Sequence, residues 1–318
     1  MTMYLAKDFI ETAEGLAFAV VEHGIEQDRV LCFLRYRRDS AGRWQKQSTS
    51  QAQALLSRYH PEFLYDCPVR DAQLHAVPVK QIVKHHRPGQ RIRDSLIAFS
   101  TEDSVERDLK QLLGLYVSHG FDIDSIGVTG SLLIGAQHSD SDIDLVFYDR
   151  ALFHRARGLT AELIAEGRLQ ALELRDWHES YRRRACSLDF DDYVWHERRK
   201  FNKALVNGRK FDLSFIDPLP VARAERYRKC GEVLLCCTIT DDSAAFDYPA
   251  LFRCDLPEID AIVVFTATYF GQGQVGEQIE VRGLLEQSDS GSQRIVVGSS
   301  REAEGEYIKV LRAGVRDE

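Results

Sequence analysis

The chain has 318 residues, of which 44% are hydrophobic and 28% charged, and its formal net charge is −8. This composition excludes a disordered or fibrous chain, and because no apolar run approaches about 18 residues, we expect no membrane partner. The length exceeds the usual size of one domain, about 100 to 150 residues, so we expect two or three domains.

Charge and cysteine content narrow the class of protein further. An acidic chain argues against wholesale nucleic-acid binding, although residues 182–210 carry nine basic side chains against four acidic ones. The seven cysteines are scattered without C-x-x-C spacing, which favours reduced thiols over a zinc site. The first residues lack a basic region followed by an apolar one, so we expect a cytoplasmic protein. The sequence leaves the oligomeric state open.

Residues 1–100 predict an α+β domain. Two apolar, β-branched runs separated by a polar stretch indicate a hairpin, and Ser48 or Thr49 is a plausible cap for a helix with apolar residues at helical spacing. The predicted strands are 16–21, 30–36, 63–65 and 74–79, and the predicted helices are 48–59, 79–86 and 90–99.

The stretch 102–149 is where the pattern becomes most informative. An amphipathic helix over 102–118 leads into a short buried strand over 126–129, and Gly130-Ser131 ends that strand. One helical turn over 132–136 follows, and Asp142-Ile143-Asp144 opens a second apolar strand. Because side chains alternate across a strand, Asp142 and Asp144 share one face.

Two carboxylates on one face are costly unless a cation neutralises them. Oxygen ligands of this kind suit Mg²⁺ or Mn²⁺. The turn at Gly130 and Ser131 offers a close approach of backbone N–H groups, a hydroxyl and the start of a helix, which are groups that bind phosphate. This combination predicts a site for a metal-bound nucleoside triphosphate.

The order apolar-Gly130-Ser131, a spacer of ten residues, then Asp142-apolar-Asp144 resembles the signature of the polymerase-β-like nucleotidyltransferase superfamily. The resemblance covers residues 101–220 and implies a third carboxylate on a later strand. Asp212, between Phe211 and Leu213, fits that position. Asp217 is its competitor, but it precedes Pro218, where a strand would be ending, and is read as a turn residue.

The chain after Asp149 predicts helices over 151–166, 169–177 and 190–206. The last helix would be rich in basic residues and would lead directly into the Asp212 strand. Lys200, Lys203 and Lys210 are therefore candidates for contacting the triphosphate or the backbone of an acceptor.

Residues 221–318 form a β-rich C-terminal part with glycine turns, which predicts a small barrel or sandwich. The expected architecture is α+β, with an N-terminal domain over 1–100, a nucleotidyltransferase catalytic domain with a mixed sheet and flanking helices over 101–220, and the β-rich domain over 221–318. Over its whole length the chain also resembles uncharacterised predicted nucleotidyltransferases common in archaea.

The resemblance implies transfer of a nucleoside monophosphate from an NTP to a hydroxyl. Asp142, Asp144 and Asp212 would be the catalytic and metal-binding residues, and Gly130 and Ser131 would hold the triphosphate. The basic stretch slightly favours an RNA 3′ end, for instance of tRNA, as acceptor. A small-molecule or protein hydroxyl is the alternative acceptor, and a non-catalytic nucleotide-sensing module is the alternative class of protein.

Overall fold

The computed structural model describes residues 3–97, 102–184, 186–219, 225–300 and 303–312. These residues form two compact units: unit 1 contains Met1–Cys67, Ala72–Ala171 and Asn202–Ala222, and unit 2 contains Pro68–Asp71, Leu172–Phe201 and Arg223–Glu318. None of the helices in the described ranges is long and apolar enough to cross a membrane. The expected domain boundaries at residues 101 and 221 lie outside the described residues, and residues 172–201 of the predicted catalytic domain lie in unit 2.

Unit 1 begins with an antiparallel sheet, called here the N-terminal sheet, in the strand order β5-β6-β3-β2-β1-β7 with β4 beside β3. Its strands are β1 Phe9–Thr12, β2 Leu16–Val20, β3 Arg29–Arg38, β4 Trp44–Lys46, β5 Leu64–Cys67, β6 Ala72–Pro78 and β7 Ile82–His86. The predicted hairpin is confirmed, since β2 and β3 pair antiparallel. Helix α1 spans Thr49–Tyr59 and begins with the expected cap, Ser48, in a capping box with Gln51.

The predicted helix over 79–86 is wrong, because most of this stretch is strand β7 at the edge of the N-terminal sheet. Alternation sends its two adjacent histidines to opposite faces. Nε2 of His85 lies 2.7 Å from Asp8 Oδ2, and Nε2 of His86 lies 2.5 Å from Glu11 Oε1. These contacts to buried carboxylates hold the segment extended. The residues 98–99 that end the next predicted helix lie outside the described residues.

Four strands form a second sheet in unit 1, called here the central sheet, in the order β10-β11-β9-β8. The strands are β8 Ile126–Thr129, β9 Ile143–Phe147, β10 Lys203–Val206 and β11 Arg209–Phe215. The sheet is mixed, because β9 and β11 run parallel while the other neighbours are antiparallel. The helices of this part are α2 Pro88–Ile97, α3 Ser104–Ser118, α4 Gly130–Ile134 and α5 Arg150–Ala165.

One face of the central sheet is apolar and carries the core. The Phe147 ring meets Tyr116 of α3 at 6.0 Å and Phe153 of α5 at 6.2 Å, and Phe153 in turn meets Phe215 of β11 at 6.0 Å. The hydroxyl of Tyr116 is satisfied by Thr160 of α5 at 3.0 Å. Because α3 and α5 bury this face, the polar side chains that alternate with it lie on the opposite face.

Two predicted helices differ from the observed ones. Helix α6 spans Leu174–Arg184 rather than 169–177, and α7 stops at Arg198 after starting at Phe190. The last part of the predicted helix over 190–206 is strand β10, which joins β11 through Asn207 and Gly208, both with positive φ. An Asn-Gly pair is the preferred two-residue hairpin turn, and it overrides the helical pattern before it.

Unit 2 contains α6, α7 and a β-rich part, of which the sequence predicted the β-rich part. The strands are β12 Tyr227–Ala244, β13 Ala250–Cys254, β14 Ala261–Val264, β15 Gln278–Ser288, β16 Gln293–Val297 and β17 Tyr307–Val310. Pairing follows the order β12-β13-β14-β16-β15-β17, and β12 also pairs with β15, which closes a ring of strands. One pair, β14 with β16, is parallel. The described residues therefore form an α+β protein with mixed and antiparallel sheets.

Candidate active site

Four residues, one from each strand, lie side by side across the polar face of the central sheet. Lys203 of β10 pairs with Asp212 of β11, Asp212 with Asp144 of β9, and Asp144 with Thr129 of β8. Residues directly opposite one another on neighbouring strands point to the same face. The structure thus brings two of the three predicted carboxylates together, with a lysine at one end of what we call the carboxylate row.

Gly130 follows the row directly and touches it. Its φ is +69°, a conformation that favours glycine, and a Cβ atom at this position would collide with Oδ2 of Asp144. The turn after β8 therefore passes against the Asp144 carboxylate at a distance that only glycine permits. Asp144 itself is half-buried, which leaves its carboxylate partly accessible.

Ser131 and helix α4 follow the turn. Within the described part of the chain, no hydrogen bond is formed by Ser131 Oγ, and the residue is half-buried. Helix α4 has five residues, so its dipole adds little, and the hydroxyl and backbone N–H groups of the turn are the groups for which phosphate binding stays a prediction. The guanidinium of Arg91 fixes α4 by donating to the Leu132 carbonyl at 3.0 Å while it pairs with Glu106 at 2.5 Å.

Asp142 immediately precedes β9, at the end of the loop that joins α4 to β9. This loop is held by Arg209, whose Nη1 donates to the carbonyls of Ser139 at 2.7 Å and Ser141 at 2.8 Å. The second of these carbonyls belongs to the peptide that leads into Asp142. Arg209 therefore fixes the backbone from which the Asp142 side chain projects.

Arg209 is itself held in place from the other side. Its Nε donates to Asp108 Oδ2 at 2.6 Å and its Nη2 to Ser104 Oγ at 3.2 Å, both on α3. The amide of Asn207, in the hairpin turn before Arg209, donates to the same Asp108 at 2.8 Å. Charge-assisted bonds of this kind are stronger and shorter than neutral ones, so the guanidinium is a rigid link between α3 and the Asp142 loop.

The three predicted lysines separate into two groups. Lys203 is half-buried beside Asp212, and Lys210, two residues before Asp212 on the same strand, is on the same face and buried. Lys200 differs from the other two. Its side chain is 1% exposed in unit 2, where the ammonium donates to Glu197 at 2.6 Å and to the Thr268 carbonyl at 2.9 Å. A buried ammonium held by these acceptors has a structural role, so we do not expect Lys200 to bind nucleotide.

The N-terminal sheet supplies the wall beside the Gly130 turn. Tyr36 of β3 is buried, and it packs in one cluster with Phe9, Leu133 and Ile134, the last two from α4. Burial raises the pKa of Tyr36, and the negative charge of Asp144 raises it further, against an opposing effect of Arg35. The phenol therefore stays protonated near the carboxylate row.

The donor set at the row suits a hard divalent cation, because Asp144 and Asp212 offer carboxylate oxygens from neighbouring strands. Asp142 lies just before strand β9. Among the described residues, no group of three or more His, Cys, Asp or Glu side chains has the geometry to hold a metal ion. The residues fit Mg²⁺ or Mn²⁺ in chemistry, and binding by all three carboxylates stays a prediction.

The sequence reading missed three residues that shape this site: Thr129, Arg209 and Tyr36. The sequence does not show which strand pairs with the one that ends at Thr129. It also does not show that the sheet containing Tyr36 packs beside the Gly130 turn. Arg209 could have been identified from the sequence, because it directly follows the Asn207-Gly208 hairpin turn. That turn fixes the register that places Asp212 opposite Lys203.

Comparison with known proteins adds one relative. The chain is 30% identical over 335 residues to the uncharacterized protein MJ1086 of Methanocaldococcus jannaschii, and the match covers 96% of this chain and 98% of that protein. No protein-family model matches the chain, and no solved structure matches it significantly. Since the similarity extends over both compact units, the chain belongs to the same protein family as MJ1086.

Proposed function

We propose that this protein is a metal-dependent nucleotidyltransferase that moves a nucleoside monophosphate from an NTP to a hydroxyl acceptor. The observation that carries the proposal is the register of the central sheet, which sets Asp144 beside Asp212 and runs the Gly130 turn against Asp144. The mixed sheet, with α3 and α5 on one face and the carboxylates on the other, supports a polymerase-β-like catalytic fold.

Each residue of the site has a role in this proposal. The turn at Gly130 and Ser131 binds the β- and γ-phosphates through backbone N–H groups and the Ser131 hydroxyl. Lys203 and Lys210, on the same face, add positive charge near the triphosphate. Positioning and charge neutralisation supply most of the rate in phosphoryl-type transfer, because the chemistry needs few covalent steps from the protein.

The carboxylates hold the metal and handle the proton. Asp142, Asp144 and Asp212 would bind Mg²⁺ or Mn²⁺, which when bound neutralises charge on the triphosphate and lowers the pKa of the acceptor hydroxyl. Asp212, which lies between Lys203 and Asp144 in the carboxylate row, would accept the proton of that hydroxyl.

The acceptor is identified by mass. The full chain is incubated with each of the four NTPs, Mg²⁺ or Mn²⁺, and either total cellular RNA or a small-molecule extract, and every product is analysed for the added mass of one nucleotide. We expect RNA 3′ ends to gain it. Gain on a small molecule or on a protein would replace RNA as the acceptor class, and the absence of any modified product with all four NTPs would contradict nucleotidyl transfer.

A further inference from the structure

A second candidate ligand site lies wholly within unit 2, in a cavity of about 530 Å³ beside α7. Four of its lining residues are large and apolar or aromatic: Leu174, Phe190, Trp195 and Phe201. Leu174 is 57% and Phe201 43% exposed, so the apolar rim of the cavity faces solvent. Large apolar side chains gathered at a solvent-facing cavity rim indicate a surface that binds a ligand.

The backbone of Phe201 supports a binding role independently of the cavity. Its φ is +50°, in the left-handed region that bulky residues avoid. Lys200, the preceding residue, is anchored by its buried ion pair with Glu197, which holds the chain in this conformation. Because the Phe201 ring is exposed, its burial does not offset this backbone strain. Backbone strain of this kind concentrates at ligand sites.

Three arginines make the cavity attractive to an anion. Arg199 pairs with Glu277 at 2.6 Å and Arg312 with Asp192 at 2.5 Å, so both guanidinium groups are fixed. Arg198 is exposed, and within the described part of the chain it has no acidic partner. Because the other two guanidinium groups are already paired, Arg198 is the cation most available to a ligand phosphate, and Asp191 is the acidic residue in the lining.

The fixed guanidinium groups also offer flat surfaces. Arg199 lies 4.6 Å and Arg312 5.1 Å from the centre of the Trp195 ring, so the two cations cover that ring. Unpaired nucleic-acid bases stack on guanidinium planes as well as on aromatic rings. A planar base therefore has stacking partners here in Phe201 and in the arginine layer, while its phosphate has Arg198.

We propose that this cavity binds one nucleotide unit of a single-stranded RNA that serves as the acceptor. The proposal rests on the proposed function, since it names the acceptor class for that reaction. A combination of aromatic rings and cations along one groove is what binds single strands without base pairing. A neutral peptide would leave the charge of Arg198 unused, which favours a polyanion over a protein segment.

The test measures binding of a fluorescently labelled single-stranded 12-nucleotide RNA to the full chain by anisotropy. Phe201→Ala should weaken binding at least about fivefold, because one base loses its stacking partner. Arg198→Glu should weaken it by a similar factor and flatten the log-log salt dependence by about 0.7, the value for one phosphate contact to a single strand. Phe201→Tyr, which keeps the ring, should restore near-normal affinity.

Two matched controls lie elsewhere in unit 2. Leu234→Ala removes an apolar side chain that is 56% exposed on β12, and Arg228→Glu reverses an exposed charge on the same strand. Both should leave RNA affinity within about twofold, a difference too small to represent a lost stacking or phosphate contact. Unfolding temperatures of all variants, measured alongside, separate loss of the site from loss of the fold.

The outcomes for the cavity and for the proposed function are distinguishable. Asp144→Ala should abolish transfer yet leave RNA affinity unchanged, because it changes unit 1 alone. The cavity proposal is overturned if the full chain binds no RNA. It is also overturned if Phe201→Ala and Arg198→Glu bind RNA as tightly as the controls do. Transfer that survives Asp144→Ala, with RNA binding still dependent on Phe201, overturns the proposed function, and RNA binding in the cavity then stands without the acceptor role.

Discussion

Glycine is required at position 130 both by the backbone conformation and by the contact with the Asp144 side chain. Gly135, at the end of α4, has nearly the same φ of +68° with nothing within 4 Å of a Cβ position. The two glycines therefore separate the cost of backbone strain from the cost of displacing a carboxylate.

Gly130→Ala should lose transfer activity far beyond what Gly135→Ala loses. Both changes place alanine at positive φ and should destabilise the protein by about 1 to 2 kcal/mol. Only Gly130→Ala also pushes the Asp144 carboxylate out of the row. Thermal unfolding and steady-state kinetics on both variants check this; equal losses of activity would show that the Gly130 contact has no functional role.

Ser131 tests how the triphosphate is bound. If its hydroxyl binds a phosphate oxygen, Ser131→Ala should raise the KM for NTP more than it lowers kcat, at a cost of about 1 to 3 kcal/mol for a hydrogen bond to a charged group. Ser139→Ala, in the exposed loop before Asp142, is the control and should change neither constant. An unchanged KM in Ser131→Ala would assign triphosphate recognition to other groups.

At the scale of elements, the loop that carries Asp142 depends on the fork of Arg209. Arg209→Lys keeps a positive charge beside Asp108 but cannot reach the Ser139 and Ser141 carbonyls as well. We expect kcat/KM to fall at least about tenfold, which is about 1.4 kcal/mol, with a smaller change in unfolding temperature.

The control for Arg209→Lys is Arg294→Lys in unit 2, which breaks a similar pair in which Arg294 donates twice to Glu286, at 2.9 and 2.7 Å. It should lower stability without lowering activity of the folded protein. If the two variants lose activity equally, Arg209 acts on stability alone and does not position the loop.

Helix α7 contains a buried histidine whose protonation opposes folding. Nε2 of His196 accepts from the Val310 N–H at 3.1 Å, so Nδ1 carries the proton and donates to the Asp192 carbonyl at 2.7 Å. Burial lowers the pKa of His196 from 6.5 to about 4, and the charge of Lys200 adds to this effect. The folded protein therefore holds His196 neutral at a pH where the unfolded chain binds a proton.

Stability should consequently fall as pH drops from about 6.5 to about 4, by about 3 kcal/mol from this residue. His196→Gln keeps an acceptor for Val310 but does not titrate. Denaturant unfolding of both proteins between pH 7.5 and 4.5 checks this, and the expected result is a shallower pH dependence in the variant. Parallel curves would show that His196 does not contribute to the acid sensitivity.

The elements also show how far local pattern reaches. Ser48, the α3 stripe and the Gly130-Ser131 turn were predictable because each depends on residues within one or two turns of chain. The Asp144–Asp212 pairing depends on the parallel register of two strands almost 70 residues apart, which local pattern cannot predict. Only the resemblance to nucleotidyltransferases indicated it. The strand over 82–86 was missed because buried Asp8 and Glu11, far back in the chain, decide its conformation.

At the scale of the whole molecule, the chain passes repeatedly between two units. The chain leaves unit 1 after α5, at Leu172, and returns to it at Asn202, so unit 2 interrupts the sequence between the two strands that carry Asp144 and Asp212. In the proposed function, unit 1 performs the transfer and unit 2 binds the acceptor. On this proposal, Arg198 of α7 and the following Arg199 serve the cavity in unit 2, while Lys203 and Lys210 serve the carboxylate row in unit 1.

The most direct measurement follows two labels on the same NTP. The full chain is incubated with NTP labelled at the α- or the γ-phosphate, together with Mg²⁺ and RNA, and products of the unmodified protein are compared with those of Asp144→Ala. We predict that the α label enters the acceptor, that the γ label is released in pyrophosphate, and that Asp144→Ala does neither. Transfer of the γ label to the acceptor, or label transfer that is unchanged in Asp144→Ala, would contradict the account.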